Sequence, residues 1–313
     1  MARIGMGIQL WAQHTDWASY LAAARRVDEL GYDHLWTWDH LVSVLGDPDR
    51  PVFEGYTTLA AWAMATSRAK LGLLVGANTF RNPAIVAKMV ATIDHISGGR
   101  AILGLGGGWH VREHAAFGVD FGSGFGERLD WLEEALQIAA PLVRGEEVHH
   151  DGPRYRVDHL RLAPPPVQER IPVMVGGVGE RKTLRSVALH ADLWSSQAPI
   201  EETPRKLEAL RAHCADVGRD PATIELTYDC IMVIRDDPAE ARRVLESQLV
   251  ANTVDPATAG PIFWSGTVEQ IAERFGAFVD LGFRTFTVEL MAPFDVETIE
   301  RLIGEVKPLL ESR

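Results

Sequence analysis

Short apolar segments alternate with amphipathic stretches along almost the whole chain. The apolar segments predict β-strands at residues 4–10, 34–38, 70–77, 101–105, 172–175, 192–195, 224–231 and 285–290. The amphipathic stretches predict helices at residues 16–30, 57–66, 127–143, 180–190, 202–217 and 296–309, with a further helix that begins at Pro83. Strands that alternate with helices are typical of a parallel sheet with helical crossovers. Eight such units in 313 residues predict an α/β fold, a TIM-type (β/α)8 barrel with insertions in the βα loops, built as a single domain over residues 1–313.

Signals at helix ends and one long connection add detail to this barrel. Asn82 is expected to cap the helix that begins at Pro83, because an amide oxygen accepts the first free backbone N–H groups and proline suits the first helical position. The same helix is expected to end at the Gly98-Gly99 pair. The connection over residues 106–170 is much longer than an ordinary βα loop. Insertions of this kind usually help to form a functional site.

Two glycine clusters raise the alternative of an open, doubly wound sheet that binds a dinucleotide. The cluster at residues 104–109 has Trp109 where the third glycine of the GxGxxG fingerprint belongs. The cluster at residues 177–182 has Lys182 at that place. Neither cluster matches the fingerprint, so the barrel is the favoured fold.

The composition of the chain disfavours several kinds of binding partner. The net charge of −12 disfavours broad binding to nucleic acid or to an anionic membrane, because both need a surplus of basic side chains. The two cysteines, Cys214 and Cys230, stand at no metal-ligand spacing and predict neither a disulfide framework nor a zinc site. The first residues do not resemble a signal peptide, and no apolar run reaches the roughly 18 residues of a membrane helix. We therefore expect a cytoplasmic protein.

The polar residues near or just after the carboxyl ends of the predicted strands are the candidates for chemistry, because these ends face one common mouth. Such residues are Asp39, His40, Asn78, Thr79, Arg81, Trp109, His110, Ser195, Ser196, Gln197, Tyr228, Asp229 and Glu289. His40 stands out, since an imidazole exchanges protons near neutral pH and suits general acid or base catalysis. The alternative is a histidine with a purely structural role.

The glycine-rich loops add a second kind of candidate. In residues 176–183, flexible backbone is followed by the expected N-terminus of a helix and by two cations, Arg181 and Lys182. This combination suits a phosphate group, and the alternative is a tight turn that needs glycine. The glycines of residues 104–108 allow the same two interpretations. Together the loops favour a large phosphorylated ligand at the mouth.

One segment of the chain matches a known metal-binding motif. The segment from His110 to His114 matches the inverted zinc-peptidase pattern HxxEH, and a zinc peptidase is therefore one alternative function. Glycines directly precede the motif and no third ligand follows it, so we assign no metal-binding residue. His149, His150 and His159 lie in a polar insertion and are interpreted as exposed turn residues.

Several motifs resemble the luciferase-like monooxygenase superfamily. They are Thr-Phe-Arg-Asn-Pro at residues 79–83, Ser-Gly-Gly-Arg at 97–100, Leu-Gly-Leu-Gly-Gly-Gly-Trp at 103–109 and Val-Gly-Gly-Val-Gly-Glu-Arg at 175–181. Trp38-Asp39-His40 and Gly108-Trp109-His110 resemble its coenzyme F420-dependent oxidoreductase branch. The similarity extends from the first predicted strand to the eighth.

This resemblance implies a barrel that binds coenzyme F420, with FMN as the alternative cofactor, and a non-prolyl cis peptide bond between Leu74 and Val75. It implies that Asp39 contacts the ring system or the ribityl side and that Asn78 meets the pyrimidine edge. The full set of cofactor-binding residues implied is Asp39, Leu74, Val75, Asn78, Gly107, Gly108, Gly176, Gly177, Glu180 and Arg181.

The implied activity is hydride transfer between F420 and a small organic substrate, with His40 moving the accompanying proton. Sugar-phosphate dehydrogenases of this branch pair the histidine with a glutamate where this chain has Trp109, which leaves His110 and Glu289 as candidate partners. An FMN-dependent monooxygenase is the main alternative function. Residues 253–266 are expected to form an apolar substrate wall, and the family resemblance implies a homodimer.

Overall fold

A computed structural model describes residues 3–313 and contains a closed barrel. Its strands are β1 (Gly5–Leu10), β2 (His34–Thr37), β3 (Lys70–Leu73), β4 (Gly76–Ala77), β5 (Ala101–Gly106), β6 (Val148–Asp151), β7 (Arg156–Leu160), β8 (Val173–Gly176), β9 (Leu193–Ser196), β10 (Glu225–Ile234), β11 (Phe263–Gly266) and β12 (Thr285–Leu290). Parallel pairing runs in the order β1-β2-β3-β5-β8-β9-β10-β12, and β12 pairs back onto β1. The predicted (β/α)8 barrel is confirmed.

The helices surround this sheet. They are α1 (Trp17–Glu29), α2 (Gly55–Ala65), α3 (Pro83–Ser97), α4 (Val111–Phe117), α5 (Phe125–Leu142), α6 (Thr183–His190), α7 (Thr203–Asp216), α8 (Pro238–Ala251), α9 (Val268–Asp280), α10 (Val296–Arg301) and α11 (Lys307–Glu311), with a π-helical turn at Leu302–Val306 between the last two. As predicted, the Asn82 side chain accepts the Ala84 N–H, and Gly98 ends α3 in the left-handed conformation. No helix within residues 3–313 is long and apolar enough to cross a membrane.

Two layers of apolar side chains hold the barrel together. A large core fills the space between the sheet and the helices, and a smaller cluster lies inside the barrel. The inner cluster consists of Trp36, Leu74, Ile102, Met174 and Leu193. These side chains plug the interior, as is usual for this fold, and separate the two ends of the barrel.

The strand predicted at residues 70–77 is interrupted. β3 ends at Leu73, β4 begins at Gly76, and the intervening peptide bond between Leu74 and Val75 is cis, as the family resemblance implied. The neighbouring strand makes room for this irregular segment with Gly104, whose position would bring a Cβ to within 2.0 Å of the Leu73 carbonyl oxygen. Only glycine fits so close to this backbone.

The long insertion contains elements that the sequence pattern did not reveal. Besides the predicted helix, here α5, it holds the short helix α4 and an antiparallel hairpin formed by β6 and β7. The interpretation of His149, His150 and His159 as exposed turn residues was therefore wrong in part, because the first two lie on β6 and the third on β7. His150 is also partly buried, with its ring 3.2 Å from the Glu134 carboxylate.

Two further boundaries differ from the prediction. α6 begins at Thr183 and not at residue 180, so Glu180 and Arg181 belong to the preceding loop. The end of the expected substrate wall, Phe263–Gly266, is strand β11, which pairs in parallel with β10. Trp264 packs into the core against neighbouring aromatic rings, whereas Phe263 lines the open end of the barrel.

Candidate active site

A cavity of about 470 Å³ opens at the carboxyl ends of the barrel strands. We call it the mouth cavity. Its volume lies within the roughly 300–1,000 Å³ of small-molecule sites. Eight of the eleven predicted site residues line it: Asp39, His40, Leu74, Val75, Gly107, Gly108, Gly176 and Gly177. The remaining three, Asn78, Glu180 and Arg181, lie outside its lining.

His40 is held by a carboxylate that the sequence analysis did not assign. Its Nδ1 lies 3.0 Å from Glu113 Oε1 and 3.2 Å from Oε2, and the Leu41 N–H donates to Oε2 over 2.9 Å. Glu113 comes from α4 in the insertion and is fully buried. Two tryptophan rings, Trp38 and Trp109, contact the imidazole nearly at right angles to its plane. The ring of His40 is therefore fixed in position by contacts on several sides.

The partners expected for His40 were wrong. The ring centre of His110 lies 6.2 Å from that of His40, and its buried Nε2 has no hydrogen-bond partner among residues 3–313. Glu289 accepts its hydrogen bonds from Trp11 Nε1 at 3.0 Å and Gln197 Nε2 at 2.6 Å and makes none with His40. Glu113, four residues after Trp109, is the carboxylate that the structure brings to His40.

The HxxEH motif does not form a zinc centre. Both ring nitrogens of His114 are already bonded, Nε2 to the Thr79 hydroxyl at 2.7 Å and Nδ1 to the His110 carbonyl at 2.8 Å. The glutamate of the motif faces His40 and not a metal position. The motif thus serves to place Glu113, and the zinc-peptidase alternative is contradicted by this geometry.

Asp39 is bound in a buried ion pair. Arg81 donates to both of its carboxylate oxygens, at 2.7 and 2.9 Å, and the Ala77 N–H donates a third hydrogen bond. Arg81 also reaches Glu54 at 2.6 Å. Burial raises the pKa of Asp39, although the adjacent guanidinium favours the charged form. The pair clamps the start of the β2 loop to the irregular segment after β3.

Two buried carboxyl groups lie deeper in the mouth cavity. Asp229 on β10 accepts a hydrogen bond from the Ser195 hydroxyl at 2.5 Å, while its other oxygen has no partner among the described residues. Burial raises the pKa of Asp229 well above its ordinary value, and the nearby Glu289 acts in the same direction. Burial also raises the pKa of Glu289. Burial thus shifts both carboxyl groups in the same direction, although the hydrogen bonds from Trp11 and Gln197 oppose the shift at Glu289.

The glycine-rich loops leave the cavity wall bare of side chains. Gly108 and Gly177 have positive φ angles of 69° and 119°, which side-chain-bearing residues rarely adopt. A Cβ at Gly176 would lie 2.9 Å from Val75 Cγ1. Glycine therefore lets the Leu74-Val75 segment protrude toward the cavity.

The charged side chains in the glycine-rich loop of residues 176–183 either form ion pairs or are exposed. Glu180 pairs with Lys206 at 2.8 Å and Arg205 at 3.0 Å, and Lys182 pairs with Asp130 at 2.6 Å. Arg181 is exposed. Of the two cations expected to act together at a phosphate, Lys182 is therefore already paired with Asp130, whereas Arg181 is exposed.

Asn78 lies just behind the mouth cavity and has spare hydrogen-bonding capacity. Its Nδ2 makes a long hydrogen bond of 3.4 Å to the Arg128 carbonyl, while its buried Oδ1 has no partner among residues 3–313. Buried polar atoms are normally paired, so this oxygen has an unused capacity to accept a hydrogen bond, although it lies outside the lining of the cavity.

The family model for luciferase-like monooxygenases matches residues 3–264 of this chain. The chain belongs to the luciferase-like monooxygenase family. Its relatives in this family include an F420-dependent hydroxymycolic acid dehydrogenase of Mycobacterium tuberculosis, 28% identical over 89% of this chain and 77% of that protein. An F420-dependent glucose-6-phosphate dehydrogenase of Kineococcus radiotolerans is 27% identical over 92% of this chain and 91% of that protein.

The fold of this luciferase-like protein also matches solved structures. An F420-dependent secondary alcohol dehydrogenase in complex with an F420-acetone adduct has a TM-score of 0.84 at 21% identity, covering 98% of this chain and 99% of the other. The match extends over the whole barrel and the insertion between β5 and β8.

Proposed function

We propose that this luciferase-like protein is an F420-dependent oxidoreductase that transfers a hydride between coenzyme F420 and a small organic substrate. The buried His40–Glu113 pair at the mouth of the barrel is the observation that carries the proposal. Relatives named as F420-dependent dehydrogenases, matched over most of the chain, support the choice of cofactor. When bound, F420 supplies the centre that gives or accepts the hydride.

The residues present fit such a cofactor. A planar ring requires a wall without protruding side chains, and the glycine-rich loops with Gly107, Gly108 and Gly176 provide one. The unpaired Oδ1 of Asn78 suits an N–H group of a pyrimidine edge. Leu74 and Val75 would support the ring from the cis segment. Glu180 and Arg181 would reach the phosphate-bearing chain only from outside the mouth cavity.

His40 would hold and move the proton that accompanies hydride transfer. If Glu113 accepts the Nδ1–H, Nε2 remains the nitrogen that exchanges a proton with the substrate. Glu113 acts as a positioning residue, because its carboxylate fixes both the ring and the backbone N–H of Leu41. A ring that is already oriented loses little entropy when the substrate binds.

The lining of the mouth cavity indicates the class of substrate. Val44, Leu45, Ile231 and Phe263 supply an apolar surface near His40. Glu289 adds a carboxyl group already engaged by Trp11 and Gln197. We infer a substrate with an apolar body and one alcohol, carbonyl or activated double bond that reacts.

The first test compares the two cofactors. Purified apoprotein is titrated in parallel with F420 and FMN, and the quenching of tryptophan fluorescence is followed. Trp11, Trp38 and Trp109 line the mouth cavity, so a bound ring should quench them. Tight F420 binding with much weaker FMN binding is expected. A preference for FMN would overturn the F420 assignment and favour a monooxygenase.

The second test addresses His40. With a panel of alcohols and unsaturated carbonyl compounds, turnover is followed through the visible absorbance of oxidised F420. We expect His40→Ala to lower kcat about 10²- to 10⁴-fold, the usual contribution of general acid–base catalysis. F420 affinity should change less than twofold. His95→Ala, at the exposed end of α3, is the matched control and should retain full activity. Unchanged turnover in His40→Ala would remove its proposed role.

We further propose that the protein acts in the cytoplasm, as the sequence pattern indicates, and that it forms a homodimer, as the family resemblance implies. Light scattering after gel filtration should give twice the chain mass of 34.5 kDa. A monomer at micromolar concentration would contradict the proposed dimer.

A further inference from the structure

A second group of histidines lies away from the mouth cavity, on the hairpin of β6 and β7. His149 and Asp158 come from facing strands, and His159 follows Asp158 directly. One ligand atom from each of the three side chains lies within 4.8 Å of the others. We propose that these three residues bind a divalent transition-metal ion, with Zn²⁺ as the occupant. We call this group the hairpin site.

The distances require little adjustment. Asp158 Oδ1 lies 3.3 Å from His149 Nδ1 and 4.0 Å from His159 Nε2. Ligand atoms bonded to one zinc ion at roughly 2.0–2.2 Å in a tetrahedron are about 3.4 Å apart. The first distance already matches this spacing, and rotation of one exposed imidazole closes the second.

Glu147 contacts the ring of His159 on the side that faces away from Asp158. Its Oε1 lies 3.1 Å from His159 Nδ1, the ring nitrogen that does not face Asp158. A histidine that ligates a metal usually donates its other N–H to a carboxylate or carbonyl, which fixes the tautomer and raises the basicity of the ligating nitrogen. Glu147 therefore leaves Nε2 of His159 as the metal-binding atom.

The hairpin backbone brings the ligands to one side. Its pairing register shifts between Val148 and His150, so that His149 stands opposite two residues, Asp158 and His159, and the irregularity lies on β7. Bulges redirect side chains, and they are common next to functional sites. His159 adopts a positive φ of 45°, and its ring stacks on that of His149 with centroids 4.6 Å apart. His150 points elsewhere, toward Glu134.

The chemistry of the ligands indicates the metal. Two imidazoles and one carboxylate, with a fourth position open to water, suit Zn²⁺ better than Ca²⁺ or Mg²⁺, which prefer oxygen ligands alone. The carboxylates of Asp158 and Glu147 add negative charge beside the cation. Cu²⁺ and Ni²⁺ should also bind, because the affinity of nitrogen ligands for divalent metals follows the Irving–Williams order, in which both ions stand high.

The test uses the full chain without a histidine tag. Isothermal titration with ZnCl₂ should show one ion per chain, and Co²⁺ should produce visible absorption bands of a low-symmetry site. His149→Ala and His159→Ala should each weaken Zn²⁺ binding at least tenfold. Glu147→Gln should weaken it by about 10- to 100-fold, the usual effect of losing the outer partner of a ligating histidine.

Matched controls separate the hairpin site from other histidines. His150→Ala changes the adjacent residue and His95→Ala a histidine on α3, and both should bind Zn²⁺ like the wild type. The ligands are exposed, so the variants should fold, which circular dichroism verifies. Equal Zn²⁺ affinity in the wild type and the His149→Ala/His159→Ala double variant would overturn the proposal, as would the absence of binding at 100 µM ZnCl₂.

Discussion

The chain contains the same chemical pair in two very different places. His40 Nδ1 lies 3.0 Å from Glu113 at the mouth cavity, and His159 Nδ1 lies 3.1 Å from Glu147 on the hairpin. The side chains of the first pair are 14% and 1% exposed, whereas those of the second are 69% and 49% exposed. The two pairs therefore have nearly equal distances but very different exposure to solvent.

The difference shows why geometry alone does not rank polar contacts. Water screens the exposed pair and competes for its hydrogen bonds, so the pair contributes little to folding. The buried pair has no such competition, and Glu113 also satisfies the Leu41 N–H. Removal of one buried partner leaves the other without hydrogen bonds or water. The exposed pair, in contrast, can rearrange freely and bind an ion from solution.

The largest loss of stability is expected when a buried arginine–carboxylate ion pair is broken, and an exposed pair provides the comparison. Arg81→Ala leaves the buried Asp39 carboxylate without its main partner, and we expect a loss of about 3 kcal/mol in the free energy of unfolding. The matched control is Arg26→Ala, which removes an exposed pair with Glu300 on the outer surface and should cost less than about 1 kcal/mol. Urea unfolding of both variants measures the difference. Equal losses would contradict the role given to burial.

The next effect concerns the two histidine–glutamate pairs themselves. Glu113→Ala removes the acceptor of two donors, His40 and the Leu41 N–H, and should lower the free energy of unfolding by about 1–3 kcal/mol. Glu147→Ala should change it by less than about 0.5 kcal/mol. Thermal and urea unfolding provide the measurement. Should Glu147→Ala prove the more destabilising, the comparison between the pairs fails.

The smallest effect is a pH dependence from Asp229. Because burial raises the pKa of Asp229, the folded chain keeps this proton at a pH where the unfolded chain has released it. This linkage lowers stability as the pH rises above about 4, the ordinary value for aspartate. Asp229→Asn does not titrate, so its free energy of unfolding should fall less than that of the wild type between pH 5 and pH 8.

The measurement for Asp229 is urea unfolding of both proteins at the two pH values. Titrating groups distant from Asp229 are shared and cancel in the difference, whereas Glu289 is coupled to Asp229 and contributes to it. Parallel curves for wild type and variant would show that Asp229 is ionised in the folded protein, contrary to its buried position beside Glu289.

Much of the barrel was predictable because its signals are local. Each strand is a short apolar run and each long helix an amphipathic one, and these patterns depend only on neighbouring residues. The elements that were missed, α4 and the hairpin, are short and polar, so they have little hydrophobic periodicity. Tertiary contacts stabilise them, among them the burial of Glu113 and the bonds of Glu134 to the hairpin.

The candidate site was predictable only in outline. Strand ends, together with the family resemblance, placed His40, Asp39 and the glycine loops at one mouth, since all parallel strands of a barrel point the same way. Which residue holds His40 was beyond this reasoning, because Glu113 lies 73 residues along the chain on a helix that the pattern did not reveal. The HxxEH motif contained that glutamate, but its chemistry pointed to zinc.

The sequence by itself determined the order of strands and helices, the barrel they form and the residue types available at its mouth. The tertiary structure decided which of those residues meet. Periodicity is a property of adjacent positions, whereas a hydrogen bond between Glu113 and His40 or a contact between His149 and His159 depends on how distant segments pack. Burial, which separates the strong histidine–glutamate pair from the weak one, likewise exists only in the folded chain.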